Sequence, residues 1–325
     1  MKPNHTFSVA PMMEWTDRHY RALARIMTKH TLLYTEMVTA PALYFGDVDK
    51  HLKYNDDIEH PIAVQLGGSD IEQLATATKH CHDYGYDEVN LNVGCPSDRV
   101  QNGKIGAILM REPELVAQCL SAMADNTDKP ITVKHRIGLN DDQDYDIVKT
   151  FIETVANNSP CKTFIVHARV AKLKGLSPKE NRDVPPLKYD FVHQVKKDFP
   201  ELNIVINGGI ADIATTQEQL NTGLDGVMVG RSAYNTPYDM LSTIDRDIFG
   251  DDHKILSRKE VLIAYLPYIE KQLSEDVYLG NIMKHTMGIF HGQIGGKQYR
   301  RTLSENMHKK GAGLDVVMDA LAVVE

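Results

Sequence analysis

The chain has 325 residues, 42% of them hydrophobic, enough to bury one large core with a smaller appended unit and too apolar for a disordered or fibrous protein. Its formal net charge of −8 argues, taken whole, against nucleic acid as a partner. The four cysteines, Cys81, Cys95, Cys119 and Cys161, are spaced too widely for a CxxC or zinc-ribbon pattern, so free thiols in a reducing compartment and no structural metal are expected. The N-terminal stretch MKPNHTFSVAPMM has no long apolar core ahead of a cleavage site, and no run of about eighteen apolar residues occurs, which makes a soluble cytoplasmic protein the expectation.

In chain order, short and nearly continuously apolar runs fall at 7–9, 32–38, 62–66, 88–91, 131–134, 163–166, 204–206 and 226–229. Such runs are what parallel strands covered on both faces require. Helical periodicity lies between most of them, at 16–29, 70–84, 114–124, 145–155, 187–199, 212–221 and 237–248, while 41–60 is irregular. In the clearest helix, Ser69 and Glu72 read as a capping box, Ile71, Leu74, Ala75, Thr78 and Cys81 as the apolar stripe, and Gly85 as the stop. Eight alternations over some 245 residues have the rhythm of a TIM (β/α)8 barrel, against a doubly wound sheet that usually closes with fewer strands. From Ser257, where Ser257 and Glu260 read as a second capping box, only helical patterns follow, at 261–273, 277–290 and 314–323. A catalytic barrel over residues 1–250 and a small all-helical C-terminal domain over 251–325 are therefore expected, with the basic segment GGKQYRR (295–301) between helices.

Polar residues end the strands: Met12 and Met13, Glu36, Gln65, Asn90 with Asn92 and Cys95, Lys134 with Arg136, His167 with Arg169, Asn207 with Gly208 and Gly209, and Gly230 with Arg231. In a barrel all of these gather at the C-terminal rim, where barrel active sites lie. Cys95 stands out, following the Gly94 break and preceding Pro96, with Arg99, Lys104 and glycine turns at Gly94, Gly103 and Gly106 around it. The plainer alternative is a buried cysteine used as a small hydrophobe. No HExxH, GxSxG or GxGxxG occurs, and GQIGGK (292–297) lacks the spacing and hydroxyl residue of a true phosphate loop. What remains is a barrel whose late loops NGGI (207–210) and GRS (230–232) suit a phosphate-bearing cofactor, with Lys134 and His167 toward its other end.

Charge is unevenly spread. Segment 169–188 carries a local +4 and segment 284–310 a local +5, leaving −17 on the rest, so an acidic protein can still present a phosphate-binding surface. The alternative is a solvated basic face.

APMMEWTD (10–17), AVQLGG (63–68), LNVGCPS with NGKIGAILM downstream, VKHRIG (133–138), HARVAKLKGLSPKENR (167–182), NGGI and GRSAY together resemble the tRNA-dihydrouridine synthases, and SPKENR resembles their A subfamily. The resemblance covers nearly the whole chain. It implies FMN as cofactor, NADPH as reductant and a D-loop uridine of tRNA, at positions 20 and 20a, as substrate. Hydride from the flavin would add at C6 of the pyrimidine, and Cys95 would protonate C5; an ordinary thiol, with a pKa of about 8.5, is mostly protonated at neutral pH. It further implies that Pro11, Met12, Met13, Gln65, Lys134, His167 and Asn207 line the flavin, that Gly208, Gly209, Gly230 and Arg231 hold its phosphate, and that Asn92 meets the uracil. Lys179, Arg182, Lys297, Gln298, Arg300 and Arg301 are the expected tRNA contacts. A flavin barrel acting on a free pyrimidine, which needs no basic patches, and an RNA-binding protein with an inert barrel are the readings to set against it.

Overall fold

The computed structural model of the chain describes residues 3–97, 104–142 and 144–324. Eight parallel strands close into a barrel in sequence order: β1 (Phe7–Val9), β2 (Leu32–Thr39), β3 (Ile62–Gly67), β4 (Glu88–Val93), β5 (Ile131–Arg136), β6 (Thr163–His167), β7 (Asn203–Asn207) and β8 (Gly226–Val229). Val9 stands opposite Val229 and shuts the ring, which rules out the open doubly wound sheet. The strand tips run one or two residues past several of the apolar runs, because polar side chains continue the ladder there.

Successive residues of a strand face opposite sides of the sheet. Ala10, Leu32, Tyr34, Ala63, Ile165, Val205 and Met228 form a small cluster inside the barrel, whereas Phe7, Val9, Leu33, Val64, Leu91 and Val133 join the larger core beneath the helices. The expectation of nearly continuously apolar strands fails at β4, where Glu88, Asn90 and Asn92 alternate with Val89, Leu91 and Val93. Asn90 is accordingly no rim residue: it is fully buried in the barrel interior.

The outer layer comprises α1 (Arg18–Met27), α2 (Ala40–Phe45), α3 (Val48–Leu52), α4 (Ile71–Asp83), α5 (Pro113–Ala124), α6 (Tyr145–Asn158), α7 (Tyr189–Asp198) and α8 (Ile213–Leu220). The expected Ser69 and Glu72 capping box does not form. Asp70 caps α4 by accepting from the Gln73 amide, and Glu72 instead accepts from the Tyr44 hydroxyl at 2.9 Å. Ile71 is exposed, and the buried face is Leu74, Ala77, Thr78 and Cys81. After a short α9 (Arg231–Asn235), the single helix expected over 237–248 is two short pieces, α10 (Pro237–Leu241) and α11 (Ile244–Asp247).

Next come α12 (Arg258–Ser274), α13 (Leu279–Met283), α14 (Gly296–Asn306) and α15 (Leu314–Leu321), and Ser257 with Glu260 forms the complete capping box expected of α12. Residues 277–290 do not make one helix. α13 gives way to a 3-10 turn at Lys284–Thr286, and at Gly288 the chain passes so close to the Asn235 carbonyl that a Cβ would lie 2.1 Å from its oxygen. The segment GGKQYRR is not an inter-helix loop either: Gly295, at φ 78°, caps α14, and Lys297, Gln298, Arg300 and Arg301 lie on that helix. These helices share one apolar core with the barrel's helix layer. The Tyr265 hydroxyl donates to the His19 carbonyl at 2.8 Å, Tyr268 OH lies 2.8 Å from His19 Nδ1, and His285 Nε2 lies 2.9 Å from Asp17. Each fully buried large apolar side chain at such a junction contributes about 1.5–3 kcal/mol.

Candidate active site

The C-terminal mouth of the barrel is built by neighbouring strands in register, with Asn92 beside Lys134 and Arg136 beside His167. Asn92 folds its amide back over the loop that follows, its Oδ1 accepting from the backbone N–H of Gly94 and of Cys95, each at 3.0 Å. Its Nδ2 donates to Gln65 Oε1 at 2.8 Å. The Cys95 carbonyl accepts from the Ala107 amide at 2.9 Å across Gly106, whose φ of 79° and lack of a Cβ, which would stand 2.4 Å from that carbonyl, make glycine obligatory. Gly94, by contrast, needs no left-handed conformation. Arg99 and Gly103, expected around the thiol, lie outside the described residues. Cys95 is partly buried, unlike Cys81, Cys119 and Cys161, which are fully buried. Burial pushes the Cys119 and Cys161 thiols up to about 12.

Lys134 is packed into the mouth with no carboxylate partner among the described residues. Burial, reinforced by the Arg136 charge, brings its ammonium down to about 7. His167 is held well below the usual imidazole range by burial and by Arg136, Lys134, Arg169 and Arg182, so it is neutral, and its Nδ1 has no hydrogen-bond partner among the described residues. Its ring lies against Gly208, where φ is 111° and a Cβ would approach the ring to 3.1 Å. Gly209 leaves no room for a Cβ either, which would stand 2.4 Å from Leu187. Asn207 spends its side chain on the Met228 carbonyl at 2.8 Å, tying β7 to β8. Arg231 pairs with Asp183 at 2.7 Å. Pro11 and Met12 are partly buried beside the mouth, the Met12 amide bonded to Thr16 Oγ1, and Met13 is 60% exposed.

Arg136, expected only as a polar residue of the rim, is a brace. It is buried, and its guanidinium donates to the carbonyls of Gly94, Val170 and Asn181 at 3.2, 3.3 and 3.0 Å. Asn181 is buried too, and knits the loop after β6 by accepting from the Lys172 amide at 2.7 Å and donating to the Lys172, Leu176 and Ser177 carbonyls. Of the expected RNA contacts, Lys179 and Arg182 are exposed on that loop, and Lys297 and Gln298 are exposed on the first turn of α14. Arg300 is half-buried, and Arg301 is engaged by Glu305 at 2.7 Å. A cleft of about 830 Å³ opens beside the mouth, bordered by Met13, Arg18, Glu36, Lys50 and Lys284, and Cys95, Lys134 and His167 are not in its wall.

A closed barrel whose mouth sets one partly exposed thiol among cationic side chains has the architecture of a TIM-barrel enzyme. The chain belongs to the dihydrouridine synthase family, whose model, described as Dihydrouridine synthase (Dus), matches residues 8–324. It is 53% identical over 322 residues to the tRNA-dihydrouridine(20/20a) synthase of Shewanella oneidensis, covering 99% of this chain and 95% of that one. With the proteins of the same name from Vibrio parahaemolyticus and Escherichia coli O6:H1 it shares 51%, over 98% and 99% of this chain and 96% of each relative. The family makes the protein an oxidoreductase. No helix among the described residues is long and apolar enough to cross a membrane.

Proposed function

We propose that the protein is a tRNA-dihydrouridine synthase that reduces the C5=C6 bond of D-loop uridine at positions 20 and 20a, using FMN held in the barrel mouth and NADPH as the source of electrons. The observation that carries this reading is the charge balance of the mouth: Lys134, Arg136, Arg169 and Arg182 crowd a neutral His167 with an orphaned Nδ1, while Asp183 lies toward Arg169, Arg182 and its partner Arg231. Such a chamber fits a ligand that brings its own negative charge, as a flavin phosphate and a reduced isoalloxazine do. Gly208, Gly209, Gly230 and Arg231 would hold the phosphate, while Pro11, Met12, Met13, Gln65, Asn207 and His167 would line the ring.

When bound, the reduced flavin supplies the hydride for C6. The chain's own groups do the rest: Lys134 balances charge, Asn92 offers the uracil the amide hydrogen it does not spend on Gln65, and Cys95 gives its Sγ proton to C5 and regains one from solvent. A stacked uridine cannot reach this depth, so the nucleotide must be extruded. We further propose that residues 1–250 form the catalytic barrel and that 251–325, with Lys297, Gln298, Arg300 and Arg301, grip the tRNA together with Lys179 and Arg182. The test is the purified protein's visible spectrum followed by stopped-flow on Cys95→Ala. The expected variant is yellow, is reduced normally by NADPH, and loses about 100- to 10,000-fold in uridine reduction. A colourless protein that FMN does not reconstitute, or an unimpaired second half-reaction, would overturn the reading.

A further inference from the structure

Beneath the mouth, buried side chains form a continuous hydrogen-bonded chain through the barrel. The Cys95 amide donates to Asn92 Oδ1 at 3.0 Å, Asn92 Nδ2 to Gln65 Oε1 at 2.8 Å, and Gln65 Nε2 to Asn90 Oδ1 at 2.8 Å. Asn90 Nδ2 then donates to Thr132 Oγ1 at 2.8 Å, and the Thr132 hydroxyl to Glu88 Oε1 at 2.7 Å. Tyr34 also donates to Glu88 Oε1, at 2.6 Å, and His5 Nε2 stands 2.9 Å from Oε2. Glu88, Asn90, Thr132 and Gln65 are all 1% exposed or less, so water does not interrupt the chain.

A primary amide can face either way, and its oxygen and nitrogen are distinguished only by what surrounds them. Here the ends decide. A backbone N–H can only donate, which fixes Asn92 from above, and an ionised carboxylate can only accept, which takes the single Thr132 proton from below. Thr132 then has only lone pairs to offer Asn90, so every amide between must point its nitrogen toward Glu88. We propose that Glu88, at the floor of the barrel, is a positioning residue for the reaction: it is the terminal acceptor that sets the direction of the Thr132, Asn90, Gln65 and Asn92 bonds, and through them seats the Cys95 loop and presents Gln65 to the cofactor. This rests on the proposed roles of Cys95 and Gln65. Burial alone would raise the Glu88 carboxyl, but His5 and the two hydroxyls outweigh it and hold it below its ordinary range, while His5 is raised by Glu88.

The experiment is a double-mutant cycle between Glu88→Met and Thr132→Val, with Thr132→Ser as the conservative control. It is read on the flavin-loaded enzyme by kcat and KM for tRNA, and independently by the position of the visible flavin bands and the FMN dissociation constant. Glu88→Met, which removes the acceptor, and Thr132→Val are each expected to lower kcat about 10- to 100-fold with KM unchanged within about twofold, and to shift the flavin bands. The double variant should be no worse than the single ones, because both cut the same chain, and Thr132→Ser should recover most of the loss seen with Val. Multiplying effects, or full kcat and unshifted bands in either single variant, would overturn the proposal. Should Glu88→Met fail to fold, Thr132→Val against Thr132→Ser decides alone. Normal ladder variants in an enzyme still dependent on Cys95 sink only this inference, whereas a Cys95→Ala enzyme with full uridine reduction sinks the function it rests on.

Discussion

Lys134 carries the most direct pH consequence at the level of one side chain. Its ammonium, lowered to about 7 by burial and by Arg136, is largely neutral at pH 8.5 in the empty site, and an anion bound beside it favours the charged form. Binding must then take up a proton above pH 7, so FMN affinity should fall as pH rises, by up to about tenfold per unit. Titrations at pH 6.5 and 8.5 should show this in the native protein and a flat profile in Lys134→Met; equal slopes would remove Lys134 from the cofactor site. The cysteines offer a second check. Cys81, Cys119 and Cys161 are fully buried and Cys95 only partly, so limited iodoacetamide treatment of the native chain should label Cys95 alone, as peptide mapping would reveal.

Among the elements, the loop after β6 depends on two buried side chains. Arg136 serves three carbonyls on two loops, and removing it leaves those carbonyls unsatisfied in the interior. Arg136→Met should cost about 2–4 kcal/mol, measured as a shift in the urea midpoint at unchanged slope. On α14, Arg301 already has Glu305 as partner while Arg300 does not pair with it. If α14 meets the tRNA backbone, Arg300→Ala should flatten the dependence of log affinity on log salt by about 0.7–0.9, more than Arg301→Ala does. Equal slopes for both variants and the native protein would put the RNA on another surface.

The element order was legible because eight apolar runs separated by helical periodicity admit few closed arrangements, and the rim residues Cys95, Lys134 and His167 followed from where those runs stop. The barrel's interior was harder to read. Glu88 and Thr132 are polar residues inside strands, and only the pairing of β3, β4 and β5 shows that they meet Gln65 and Asn90. The alternation Glu88, Asn90, Asn92 was nevertheless a signal, since a charge in a two-sided buried strand needs a partner. Local helix breaks were missed because their cause is distant: Gly288 must pass the Asn235 carbonyl, which no local pattern announces.

At the scale of the whole molecule, Asp17 joins the barrel to the C-terminal helices. Burial would raise its carboxyl, but the His285 hydrogen bond and the Lys284 charge prevail and hold it well below the usual carboxylate range. Depressed in the folded state, it adds stability that is present above the unfolded value near 3.9 and is lost as pH falls through the folded one. Asp17→Asn should therefore cost about 1–3 kcal/mol at pH 7 and progressively less under strongly acidic conditions, followed by thermal unfolding across pH. A pH-independent cost would mean that only its capping of α1 matters.

The same junction has a bearing on how a substrate is measured. Tyr265 and Tyr268 on α12 and His285 beyond it hold His19 and Asp17 at the start of α1, directly after the Met12–Thr16 turn at the barrel mouth. Under the proposed reading, the gripping surface and the thiol are two marks on one ruler. On that reading the nucleotide would be chosen by its span from the grip, and service to two adjacent uridines would leave the RNA, rather than the protein, to supply the slack.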